Sequence, residues 1–146
     1  KDEKAEIKDA KQSFEQVHRK DYILRKLLGI IFWQEGLEDK NVDVGKILSG
    51  LALILNSKEE DILGRVKDKK DDLIFEAEIF YGEKKDNLEK DVKELLKNFE
   101  KEHLDERLGL KMRELHHAEQ SKDVVKSESI MKEIKDITTR KEEINK

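Results

Sequence analysis

Three Glu-x-x-His motifs are the residues in this chain whose types and spacing could do chemistry. In di-iron helical bundles, two such motifs on different helices supply carboxylate and imidazole ligands to one metal pair. The motifs here are Glu15 with His18, Glu100 with His103, and Glu114 with His117. The last two lie on one continuous helical pattern, where a rise of about 1.5 Å per residue separates Glu100 from Glu114 by roughly 21 Å. They cannot share an ion, so we predict no metal site.

Other patterns that would indicate catalysis are weak or missing. The adjacent His116 and His117 are expected to be solvated side chains, and a pH switch is the alternative. Paired carboxylates such as Glu59 and Glu60 lie at predicted helix starts, where they favour the helix dipole. The sequence has no cysteine, no Gly-rich phosphate loop and no nucleophile–histidine signature. We therefore predict no catalytic residue and no cofactor, so that the domain is not itself an enzyme.

Charge and hydropathy exclude further classes of partner. Charged residues form 45% of the 146 residues, with a net charge of −4, and acids alternate with bases in every segment. Binding to a phosphate backbone needs clustered Lys and Arg, so we expect no direct nucleic-acid contact. The longest apolar run, Leu27–Trp33, is too short to cross a bilayer, and no signal peptide is visible. We predict a cytoplasmic protein, and the initial lysine suggests a piece of a longer chain.

Apolar spacing predicts helices throughout, because the chain has no proline and its apolar residues recur at intervals of three and four. The predicted helices cover residues 2–18, 22–34, 43–55, a short segment after Ser57, 73–81, 87–120 and 123–144. The predicted start signals are Asp21, Asp43 and Asp123 as N-caps, and Ser57 with Glu60 and Asp86 with Glu89 as capping boxes. Helix 22–34 is apolar nearly all round, so we place it at the centre of the core. Gly36 should end it in a left-handed turn, and Gly45 and Gly50 should mark close packing.

The last two predicted helices form a hairpin. A helix over residues 87–120 is followed by a three-residue turn and a helix with Ile130, Ile134 and Ile137 on one face. Two apolar stripes joined by so short a turn predict antiparallel packing. We therefore predict an all-α fold, with a multi-helix bundle over residues 1–103 and a projecting hairpin over 104–146.

Some apolar residues of the hairpin do not fit its core stripe. Leu110 points about 140–160° away from Leu108 and Leu115 around the helix, and two valines after the turn are rotated off the isoleucine face. Either these side chains cover the other arm near the turn, or they form an exposed patch that contacts a protein. The candidate partner-binding residues are Leu110, Met112, His116, Val124 and Val125.

Residues 19–144 resemble the C-terminal helicase-binding domain of bacterial DnaG-type primase. The similarity lies in the segment Arg19–Ile31 (RKDYILRKLLGII) and in the closing hairpin, with its Leu104-x3-Leu108, Leu115-x2-Ala118-Glu119 and Ile134-x2-Ile137 spacings. The extra charged helix at 2–18 and the lack of proline depart from that family. The resemblance implies a helical bundle followed by a hairpin that docks on the amino-terminal region of the replicative helicase.

The resulting prediction is a non-catalytic interaction domain, monomeric alone, that recruits a primase to its helicase within the primosome during DNA replication. One alternative is the amino-terminal domain of the helicase itself, which is similar in fold. Another is a structural coiled coil that dimerises through the apolar stripe of residues 92–118. Concentration-dependent mass would distinguish the dimer from a monomer.

Overall fold

The computed structural model describes the backbone of residues 2–146 and the side chains of residues 18–146. Throughout this part of the chain the regular structure is helical, with no strand. The α-helices are α1 (Asp2–Glu35), α2 (Val44–Leu55), α3 (Glu59–Gly64), α4 (Lys70–Tyr81), α5 (Leu88–Gln120) and α6 (Val124–Asn145), with 3₁₀ turns at Lys67–Lys69 and Lys85–Asn87. The all-α prediction is confirmed.

Helix α1 is continuous where two helices were predicted. Asp21 lies inside it instead of capping a second helix, so the predicted break is wrong. The reason is that no glycine or proline interrupts residues 18–28, and an established helix propagates at low cost through a single Asp. The apolar residues on which the predicted 2–18 helix rests lie outside the described side chains; they are Ile7, Ala10, Phe14 and Val17.

The end of α1 differs from the predicted left-handed turn at Gly36. None of the glycines in the described backbone has a positive φ. The helix ends instead in tightened turns, in which the N–H of Gly36 donates to the Trp33 carbonyl at 3.2 Å. Gln34, which is fully buried, then fixes the following loop by accepting a 2.7 Å hydrogen bond from the Asn41 N–H.

Of the four start signals other than Asp21, two are confirmed and two are wrong. Asp43 Oδ1 accepts from the Lys46 N–H at 3.2 Å, and Asp123 caps α6 in the same way. The predicted capping boxes do not form, because Lys58 occupies the N-cap of α3 without a side-chain bond and Asp86 lies within a 3₁₀ turn. Ser57 instead donates its hydroxyl to the Leu55 carbonyl.

Residues 18–100 form one compact unit with a single hydrophobic core. Leu27, Leu28, Ile30 and Ile31 of α1 are at most 1% exposed, which confirms helix 22–34 as its centre. The other fully buried apolar side chains of this core are Ile47, Leu51, Ile62, Leu73, Leu88 and Phe99. Fully burying each such side chain stabilises the fold by about 1.5–3 kcal/mol.

Helices α1 and α4 of this unit approach closely at Gly29. A Cβ placed there would lie 2.8 Å from the Leu73 carbonyl oxygen, so only glycine fits without a shift. The predicted close packing at the two glycines of α2 is wrong. A Cβ at Gly45 would meet the Asp43 side chain at 3.4 Å and one at Gly50 would meet Leu96 at 3.7 Å, which are ordinary contacts.

Residues 101–146 belong to a second compact unit, formed here by the end of α5 and by α6. Two ion pairs show that these helices run antiparallel: Lys111 bonds Glu133 at 2.7 Å, and Asp105, earlier in α5, pairs with Lys141, later in α6. The buried apolar side chains are Leu104, Ala118, Ile130 and Ile137. The predicted division of the chain at residue 103 stays a prediction.

Among the described helices, none combines the length and the apolar character that crossing a bilayer would require.

Candidate protein-interaction surfaces

The residues predicted to bind a partner are all exposed. Leu110 is 47% exposed, Met112 55%, Val124 65% and Val125 80%, and His116 is exposed as well. Fractions this large mean that the other helix does not enclose these side chains. Their role in binding stays a prediction.

These five residues do not share one face. Met112 and His116 lie one turn apart on α5, whereas Leu110 lies about 160° around the helix from Met112. Val124 and Val125 occupy the first turn of α6. Met131, which is 56% exposed, lies two turns after Val124 and extends that edge of α6.

The turn that presents the two valines is well defined by hydrogen bonds. Lys122 adopts the left-handed conformation, with φ 58°, and the Asp123 N–H donates to the Ala118 carbonyl at 3.0 Å. Asp123 Oδ1 then accepts from the Lys126 N–H at 3.1 Å, and Ser127 donates its hydroxyl to the Asp123 carbonyl. These bonds satisfy the end of α5 and the start of α6, so the valines are held on an ordered backbone.

A second exposed apolar surface lies between α1 and α4, and sequence reasoning did not predict it. We name it the aromatic groove. It encloses about 380 Å³. Its rims carry Tyr22 of α1, which is 59% exposed, and Phe75, Ile79 and Phe80 of α4, which are 63%, 69% and 52% exposed. Gly29, Leu73 and Ala77 also line it.

The spacing of α4 explains how the groove forms. Leu73, Ala77 and Tyr81 follow one another at intervals of four and are buried, so they attach the helix to the core. Phe75 and Ile79, also four apart, lie on another side and remain exposed. A small residue on each helix, Gly29 and Ala77, lets the two backbones approach beneath the rims.

The charges of the groove are arranged unequally. Arg25 donates two hydrogen bonds to Glu76, from Nε to Oε2 at 3.0 Å and from Nη2 to Oε1 at 2.7 Å. This bond lowers the pKa of the Glu76 carboxyl and raises the pKa of the Arg25 guanidinium. Arg25 therefore already has its counter-charge in Glu76. The Lys26 ammonium instead lies over two rings, 4.8 Å from the centroid of Tyr22 and 4.1 Å from that of Phe80.

Lys26 differs from Arg25 in its surroundings. Within the part of the chain whose side chains are described, no carboxylate lies within the 4.0 Å of an ion pair to the Lys26 ammonium. The two aromatic faces attract the ammonium and hold it in the groove. Among the side chains of residues 18–146, the groove thus presents an apolar surface with one cation that lacks a carboxylate partner.

The composition of α4 indicates the groove in the sequence itself. Seven of the nine residues from Leu73 to Tyr81 are apolar or aromatic, more than one buried face of a short helix can use. The same test of surplus apolar residues, which selected Leu110 in the hairpin, would have selected Phe75 and Ile79.

The Glu-x-x-His motifs form no cluster in the described residues, where no group of three His, Asp or Glu side chains could hold a metal ion. Glu100 and Glu114 lie on α5, as predicted, and Glu15 lies outside the described side chains. The predicted absence of a metal cofactor stays a prediction.

Comparisons with known proteins leave the family open. No protein-family model matches this chain, and neither the curated proteins nor the solved structures show a match.

Proposed function

We propose that this chain is a non-catalytic interaction domain that recruits a DNA primase to the replicative helicase. The observation that carries the proposal is the pair of exposed valines, Val124 and Val125, at the first turn of α6. Valine has a low helix propensity, and neither residue gains from burial at 65% and 80% exposure. Contact with another protein gives both residues a reason to be apolar.

The identity of the partner follows from the resemblance of residues 19–144 to the helicase-binding domain of DnaG-type primase. In that arrangement a helical bundle precedes a projecting hairpin, and the hairpin contacts the amino-terminal region of the helicase. The antiparallel α5 and α6, joined by a capped turn, support the hairpin. The domain acts in the cytoplasm, without direct nucleic-acid contact, as a monomer until it meets the helicase.

The burial of the α5 stripe argues against a coiled-coil dimer. Val92 and Phe99 are 5% and 0% exposed, and Leu104 and Ala118 are 5% and 3% exposed. A coiled coil needs such a stripe to face a partner helix. Here these side chains are already covered within the chain.

The proposal is tested by changing Val125 to aspartate and measuring binding to the amino-terminal region of the helicase from the same organism. An apolar anchor of an interface contributes much of the binding free energy, so we expect Kd to rise about tenfold or more. The melting temperature should stay unchanged or rise slightly, because an acid in the first turn of a helix favours its dipole.

Leu53 supplies the matched control. It is 83% exposed on α2, so Leu53→Asp places the same charge at an equally exposed apolar site. This control should leave helicase binding unchanged. Leu110→Asp tests the other predicted anchor in the same way. Full-strength binding by both hairpin variants would exclude the hairpin as the contact.

A further inference from the structure

We infer that the aromatic groove between α1 and α4 binds an amphipathic helix of a partner protein, with an acidic side chain of that helix placed against Lys26. This goes beyond the proposed contact with a helicase, because it concerns other residues and uses no resemblance.

The exposed apolar area is large enough for a protein contact. At about 200 Å² for each large side chain, the exposed parts of Tyr22, Phe75, Ile79 and Phe80 add up to roughly 500 Å². The largest apolar patch on a typical monomer is about 300–600 Å² and is often functional. Two or three turns of a helix would cover this surface.

The backbone favours a helix over an extended peptide as the occupant. The groove is lined by residues of two helices, whose backbone N–H and C=O groups bond within each helix. An extended peptide on such a surface finds no strand edge, so its own backbone groups would lose their hydrogen bonds on burial. A helix satisfies its backbone internally, and its side chains at i, i+3, i+4 and i+7 can fill a groove.

The charges of the groove favour an acidic residue on the partner helix. An apolar partner would remove water from the Lys26 ammonium, and a buried charge without a counter-charge is costly. Arg25 cannot attract the partner as strongly, because its guanidinium already bonds Glu76 in two places. An Asp or Glu beside the apolar stripe of the partner would compensate the desolvation of Lys26.

The experiment selects peptides on the full chain from a displayed library of helix-forming sequences. The library fixes an apolar face of Leu, Ile, Phe or Met and varies the flanking positions among Glu, Gln, Lys and Ala. We expect winners with apolar residues at helical spacing and an acid beside them. Enrichment without an acidic preference, or no enrichment above an unrelated protein, would overturn the inference.

Variants of the groove then test where the winners bind, by fluorescence anisotropy. Ile79→Gln should weaken binding of the selected peptide about tenfold, and Phe75→Gln provides a second rim variant. Lys26→Met, which keeps the aliphatic stem, should weaken it about fivefold, as expected for one partly desolvated charge pair. Lys26→Glu should reverse the preference, so that a peptide with Lys in place of Glu binds better.

Leu53→Gln is the control for these variants and should bind the winning peptide as the wild type does, because Leu53 is exposed outside the groove. The melting temperature of each variant verifies that it is folded. Equal binding by wild type and both rim variants would overturn the inference. Concentration-dependent doubling of the mass that Ile79→Gln abolishes would overturn it too, because the occupant would then be a second copy of this chain. No helicase is used, so this result is independent of the hairpin proposal.

Discussion

Replacing Gly29 with alanine should destabilise the chain, although alanine is normally the better helix residue. In a helix interior, Gly to Ala gains about 1 kcal/mol. At Gly29, however, the new Cβ would lie 2.8 Å from the Leu73 carbonyl oxygen. That oxygen belongs to the backbone of α4, which cannot turn aside as a flexible side chain can. Overpacking of this kind costs about 2 kcal/mol in the middle of its usual range, so we expect a net loss of about 1 kcal/mol.

Gly50 provides the matched control on α2. Its added Cβ would meet only the end of the Leu96 side chain, at 3.7 Å, so Gly50→Ala should gain about 1 kcal/mol from helix propensity. Urea unfolding followed by far-UV circular dichroism gives both free energies. A lower free energy of unfolding for Gly29→Ala together with a higher one for Gly50→Ala would support the close approach of α1 and α4. If Gly29→Ala stabilises the protein as Gly50→Ala does, the reasoning about the floor of the aromatic groove is refuted.

Three further changes test the core, a cap and an ion pair. Leu28→Ala should lower the free energy of unfolding by about 2–5 kcal/mol, since Leu28 is 1% exposed. A loss below about 0.5 kcal/mol, measured by urea unfolding, would contradict this. Asp123→Ala removes the N-cap of α6 and should cost about 1 kcal/mol, seen as an earlier loss of helical circular dichroism, whereas an unchanged melt would exclude the cap. The Arg25 hydrogen bond lowers the pKa of Glu76, so its stabilisation exists above the unfolded pKa and disappears as pH falls through the folded pKa. Because the pair is exposed, Glu76→Gln should lower the free energy of unfolding by only about 0.2–1 kcal/mol at neutral pH, and it should have no effect at about pH 2. An equal loss at both pH values would contradict this.

The apolar spacing predicted most of the helices because long helices bury a periodic stripe. The stripe of α5 and the centre of the core at Leu27, Leu28 and Ile31 both follow from it. The capping residues predicted the helix ends less well, because a cap acts only where the backbone already turns. Asp43 and Asp123 lie at such turns, whereas Asp21 lies in a segment with nothing to stop the helix.

The exposed surfaces were only partly predictable for a related reason. Periodicity shows that Leu110 leaves the core stripe of its helix, and its exposure follows from that. On α4, Leu73 and Phe75 are equally apolar, and only the packing of α4 on α1 decides which of them is buried. Pairing of Arg25 with Glu76, 51 positions apart, also requires the tertiary fold. The charge pattern around Lys26 was therefore invisible in the sequence.

The central claim is that the hairpin binds a replicative helicase through the start of α6. Hydrogen exchange of the chain, with and without the amino-terminal region of the helicase, tests it most directly. The first N–H groups of a helix lack carbonyl partners within it, so Val124 and Val125 should exchange rapidly in the free chain, unlike Asp123, whose N–H donates to the Ala118 carbonyl. We expect slower exchange there, and around Leu110, when the helicase is present at saturating concentration. Unchanged exchange at these residues, with or without protection elsewhere, would contradict the claim.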